Sequence, residues 1–114
     1  EQSRALESFR KAYALEKANP DVGREYAGQC LICGEGAEAL RVSRELHARF
    51  PNDVGLQSNL ALSMLIAGDL DEALATARAA LSREPGDRIT TSLVAYIERV
   101  KAGTTKRPRT LPGW

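Results

Sequence analysis

Few residues in this chain have types and spacings that could do chemistry. Cys30-Leu31-Ile32-Cys33 is a CxxC pair, a spacing that serves disulfide exchange or zinc binding. Redox use needs the first thiol at a helix N-terminus, where the dipole lowers its pKa. The helix carrying these cysteines starts near Pro20, so both fall late in it. Zinc needs about four ligands, and His47 is the sole histidine. The pair therefore reads as buried free thiols, and His47 as a packing or surface residue. Glu35, Glu38, Glu45, Asp69, Asp71 and Glu72 read as solvated helix faces and caps. No GxGxxG, Walker-type GxxxxGK, GxSxG or HExxH run occurs, so no catalytic set, metal site or cofactor is expected.

The tail residues Thr105-Lys106-Arg107-Pro108-Arg109 are basic. Three charges in a loop make a weak nucleic-acid signal, so a nucleic-acid partner is not the leading expectation. The tail reads as a loose chain end. A sharper reading docks Leu111-Pro112-Gly113-Trp114 into a groove of its own or a neighbouring molecule.

The elements that position these residues follow from composition and period. The chain has 114 residues, 43% hydrophobic and 27% charged, with a formal net charge of +1. That suffices for one domain burying roughly two-thirds of its unfolded surface, with no global field to draw it onto nucleic acid or membrane. No apolar run approaches the ~20 residues that cross a bilayer. Two cysteines beside a good core do not make a disulfide scaffold, and a cytoplasmic, reducing compartment is the default. Residue 1 is Glu rather than Met, which leads us to expect a longer native protein around this domain.

The dominant pattern is a repeat of 34 residues. Ala5, Ala39 and Ala73 share it, as do Ala27, Ala61 and Ala95. Leu6, Leu40 and Leu74 follow the same register, and so do Arg10, Arg44 and Arg78, Gly34 and Gly68, and Pro51 and Pro85. A fixed period of this length means stacked copies of one supersecondary unit. Helix formers dominate and β-branched runs are absent, so the unit is helical. The expected fold is all-α: an α-solenoid of stacked antiparallel helix pairs, with about six helices. These lie near 3–18, 20–33, 37–49, 54–67, 70–83 and 88–102, parted by Gly34, Gly68 and the turns before Asp53 and Asp87. The domain then spans 1–103, divided into a half-repeat 1–19, repeats 20–51 and 52–85, and a trailing helix 88–102. Residues 104–114 form an extended basic tail. Lys17 stands where Pro51 and Pro85 stand later, and Pro20 falls three residues further on. This predicts a first helix longer by nearly a turn and a second that starts late. Thr90, Thr91, Glu98, Arg99 and Lys101 suit the last helix to a polar capping role.

This pattern resembles the tetratricopeptide repeat family over about residues 1–102. Leu60-Ala61, Gly68, Ala73, Ala80 and Pro85 take the family's signature positions. Tyr26-Ala27, Gly34, Ala39 and Pro51 do so in the preceding copy, and Phe9 occupies the aromatic position of the half-copy. The family's early Trp position holds Gly23, Gln57 and Thr91 instead. The resemblance implies a concave groove lined by the first helix of each pair. Some members clamp a peptide's terminal carboxylate there. Carried over by position, Arg24 and Asn59 fit that clamp, whereas Gly28, Ile89 and Leu93 replace its remaining polar residues, so a carboxylate clamp is not expected. The implied function is a non-catalytic protein–protein interaction module. It would take a peptide or partner helix on Arg24, Asn59, Leu62, Leu93 and Tyr96. An accessory or dimerising domain of a larger enzyme is the alternative. Two full repeats fall short of the roughly three such arrays need, so self-association through a terminal helix is also expected.

Overall fold

A computed structural model describes residues 2–110 of the chain. Six helices follow one another: α1 (Gln2–Leu15), α2 (Pro20–Ile32), α3 (Gly36–Arg49), α4 (Val54–Ala67), α5 (Leu70–Arg83) and α6 (Arg88–Ala102). There is no strand among the described residues. Consecutive helices pack side by side through short turns, as antiparallel neighbours must. The all-α repeat expected from the 34-residue period is present.

Two turn types alternate, and local chemistry dictates both. After α2 and after α4 the chain passes through a glycine in the left-handed region, Gly34 at φ 76° and Gly68 at φ 100°. The amides beyond bond back across the helix end, Glu35 to the Cys30 carbonyl and Asp69 to that of Met64, both at 2.8 Å. This satisfies carbonyls that a helix terminus leaves orphaned. The other turn spans Glu16–Asn19, Phe50–Asp53 and Glu84–Asp87. In each copy the fourth residue's amide donates to the first residue's carbonyl, at 2.9, 3.1 and 3.1 Å. Asn19, Asp53 and Asp87 then cap the next helix through their side chains.

This symmetry corrects the expectation of a displaced second helix. α1 ends at Leu15 rather than residue 18, and α2, α4 and α6 start in register at Pro20, Val54 and Arg88. Lys17 simply takes the proline's place in the turn, because the cap and the backbone bond define the turn, not the proline. Lys17 also lays its ammonium 5.8 Å from the centre of the Tyr13 ring.

α4 lies at the centre, against α3 and α5 and also touching α2 and α6. Surrounded in this way, it is buried nearly all round: Leu56, Leu60, Ala61, Met64, Leu65 and Ile66 all lie in the core. Ala27, Ala39, Ala61 and Ala73 are buried as the small-residue rows require. Ala95 is only half-buried, because α6 packs on α5 and α4 alone. Two buried hydroxyl pairs pin α4 to its neighbours: Ser43 with Ser63 at 3.1 Å, and Ser58 with Thr90 at 2.9 Å. Thr90 therefore belongs to the core rather than to the polar cap of α6. Thr91, Glu98, Arg99 and Lys101 do point to solvent.

Candidate functional site

α2, α4 and α6 form a row with α4 in the middle. The five residues expected to bind a partner lie on these helices, but at two different depths. Leu62 and Leu93 are in the core, 7% and 2% exposed. They form a buried floor beneath the row. The burial follows from α6 closing against α4, a contact between residues about thirty positions apart. Arg24, Asn59 and Tyr96 remain half-exposed.

Of the two polar members, Arg24 is tied into the fold by its side chain. Arg24 donates to Asp21 Oδ1 at 2.8 Å within α2, and its second nitrogen reaches Asp53 Oδ2 at 3.3 Å. Asp53 in turn accepts from the Leu56 amide at 3.0 Å and caps α4. Arg24 thus links two first helices through a helix cap, and its charge is shared between two carboxylates. The backbone carbonyl of Asn59 accepts from Ser63 Oγ at 2.9 Å. The Tyr96 ring carries the Arg99 guanidinium 5.5 Å from its centroid. Of the other residues of the row, Asp21, Glu25, Gly55, Ile89 and Ser92 are exposed, whereas Ser58 is buried against Thr90. The row therefore offers polar edges with an aromatic at one end. The surface holds no pocket among the described residues.

The remaining candidates are placed as follows. Cys30 is buried and Cys33 half-buried, both reduced. Burial pushes the Cys30 thiol up to about 11, and Cys33 is the C-terminal cap residue of α2. Cys30 lies in the last turn of α2, away from the helix N-terminus that would activate a thiol. His47 Nδ1 is buried with no hydrogen-bond partner. No group of three His, Cys, Asp or Glu side chains is placed to hold a metal among the described residues.

Sequence reasoning missed a polar network joining α1, α2 and α3. Tyr26 Oη donates to Glu38 at 2.5 Å and accepts from Arg10 Nε at 3.3 Å. Tyr13 Oη donates to Glu45 at 2.7 Å. Arg41 grips both carboxylates, Glu38 at 2.7 Å and Glu45 at 2.7 Å. Those bonds hold the Glu38 carboxyl down at about 2, while burial pushes both tyrosines up to about 12. Glu38 and Glu45 are not simply solvated helix faces. A signal existed in the period, since Arg10 and Arg44 share one register position and Glu38 and Glu72 another. Arg44 meets Glu72 at 3.7 Å, the second copy of the same arrangement.

The tail is also placed differently from expectation. Arg107 donates to the Ile66 carbonyl, and the chain at Arg109 and Thr110 passes Gly34. Both contacts are at turns, away from the exposed face of the α2–α4–α6 row. The docking segment Leu111–Trp114 lies outside the described residues. No helix of the described chain is long and apolar enough to cross a membrane. The chain matches no protein-family model, no curated protein and no solved structure.

Proposed function

We propose that this domain is a non-catalytic protein–protein interaction module of the tetratricopeptide type, using the exposed face of α2, α4 and α6. The observation that carries this reading is the half-exposed set Arg24, Asn59 and Tyr96, one on each first helix, over a floor of Leu62 and Leu93. A row of this kind suits an extended peptide or a partner helix, whose side chains meet one repeat after another. Specificity would come from Asn59 and the Tyr96–Arg99 pair. Arg24 would contribute charge while continuing to brace Asp53. Self-association through the terminal helices has less support, because the large apolar residues most exposed on them are single ones, Leu15 on α1 and Ile89 on α6.

The test is selection of peptides against the domain from a displayed library, followed by anisotropy titration of those selected. An Asn59→Ala, Tyr96→Ala variant, shown to fold by circular dichroism, is expected to bind at least about tenfold more weakly, the equivalent of one lost hydrogen bond or ring contact. Equal affinity for the variant, or no peptide selected at all, overturns the reading.

A further inference from the structure

The segment after α6 does not leave the molecule. It turns back at Gly103, itself left-handed at φ 81°, and runs along the turn edge of the array. Arg107 donates to the Ile66 carbonyl, one of the last carbonyls of α4, and lies over Gly68. A Cβ built at Gly68 would sit 3.6 Å from the guanidinium carbon. Three residues on, a Cβ at Gly34 would sit 3.5 Å from the Thr110 methyl and 3.8 Å from the Arg109 carbonyl.

Gly68 and Gly34 are the same position in successive repeats, so the tail meets one equivalent point per repeat. The spacing is physically matched. Three residues can reach at most about 10 Å, and packed helices sit roughly 8–10 Å apart. Charge is matched too. Lys106, Arg107 and Arg109 run past the C-terminal ends of α2 and α4, where the helix dipoles are negative and where Glu35 and Asp69 follow the glycines. Lys101, just before the tail, pairs with Asp71 at 2.6 Å on the same side.

We propose that residues 104–110 are an intramolecular strap that fastens the end of the chain to the turns of both earlier repeats and holds the array at one curvature. In a helical repeat each unit contacts only its neighbours, and among the described residues α6 touches neither α2 nor α3. The strap supplies the coupling that the helices lack. The inference does not depend on the groove reading, because it concerns the opposite features of the fold: turns, αL glycines and helix C-termini.

The experiment is amide NMR on the wild type, an Arg107→Gln variant and a chain ending at Gly103. In the wild type, residues 104–110 are expected to show heteronuclear NOE values close to those of the helices. Both altered proteins are expected to shift the Ile66–Asp69 and Gly34–Glu35 amides together. The shortened chain is expected to exchange the Gly34 and Glu35 amides at least about threefold faster, although α6 itself makes no contact there. A mobile tail in the wild type overturns the strap, as do shifts confined to residues adjoining the change. The Arg107→Gln substitution sits on an exposed residue outside the core, so loss of folding does not confound the outcome.

Discussion

Tyr26 and Glu38 are joined by a 2.5 Å hydrogen bond from the tyrosine hydroxyl, with Arg10 donating to the same oxygen from α1. In this copy of the repeat the tyrosine mediates between the arginine of one pair and the glutamate of the next. In the following copy Leu60 takes the tyrosine's position, and Arg44 meets Glu72 directly. The period thus preserves the charges while the residue between them changes.

Tyr26→Phe removes the mediator and leaves Arg10 and Glu38 without their shared partner. The ring contact with Tyr13, 5.7 Å between centroids, is retained. A hydrogen bond to a charged group contributes about 1.5–3 kcal/mol, and solvent at this edge lowers that to about 1–2 kcal/mol. Urea unfolding of the variant is expected to show a lower midpoint with an unchanged slope. An unchanged midpoint would show that the network is ornamental.

The same network sets the acid limit of stability. Arg41's bonds hold the Glu38 carboxyl at about 2, below its ordinary value of 4.5. A carboxylate depressed in the folded state stabilises above its unfolded pKa and loses that contribution as pH falls toward the folded one. The window is therefore about pH 4.5 down to 2, and Glu45, also lowered, with Tyr13 its first cause, acts in the same direction. Glu38→Gln is expected to flatten the fall in urea midpoint across this window, by on the order of 1 kcal/mol after solvent screening. At the alkaline end the tyrosines act with the opposite sign. Raised to about 12 by burial first, they stabilise below pH 10 and lose that contribution as pH climbs toward 12.

Cys30 is the residue of the CxxC pair whose behaviour is set by packing. Its thiol is buried, and burial pushes it up to about 11. Thiolate is the reactive form, so attack on Cys30 by an aromatic disulfide reagent at pH 8 is expected to be slower on the order of a hundredfold than in urea-unfolded chain. Rapid labelling in the folded protein, with formation of a Cys30–Cys33 bridge, would restore the redox reading.

The parts of this fold that were legible in the sequence are those fixed by local chemistry. Gly34 and Gly68 end helices because a left-handed residue closes the carbonyl ends, and Asp53 and Asp87 start helices because their carboxylates cap amides; both are readable from residue type and spacing. The end of α1 was not legible from the proline spacing, because Lys17 stands in the turn that Pro51 and Pro85 mark later, whereas the start of α2 is readable from Asn19 as cap and Pro20 as first residue. The burial of Leu62 and Leu93 was not legible, since it depends on how α6 closes over α4. Arg107 was legible only as a charge. Its acceptor is a main-chain carbonyl 41 residues away, and a carbonyl has no sequence signature.

Arg83 gives the last prediction, and its reasoning joins register to geometry. At the end of α5 it donates to the Pro51 carbonyl at 2.8 Å, to Gln57 Oε1 at 2.8 Å and to Asn52 Oδ1 at 3.4 Å. One planar side chain therefore ties the second helix of a repeat to the turn and first helix of that repeat. Gln57 is buried and spends its amide nitrogen on the Thr76 carbonyl at 3.4 Å, so its oxygen depends on Arg83. The same register position is Arg49 in the previous copy, but there Gly23 replaces Gln57 and this acceptor is absent. Arg83→Ala is expected to cost about 1–2 kcal/mol through the orphaned glutamine oxygen. Arg83→Lys is expected to recover less than half of it, because an ammonium cannot reproduce the fork that reaches three acceptors. Arg49→Ala serves as the register control and is expected to cost less than Arg83→Ala. Thermal melts of the three variants decide the matter: equal losses at 49 and 83, or full rescue by lysine, would reduce Arg83 to an ordinary surface charge.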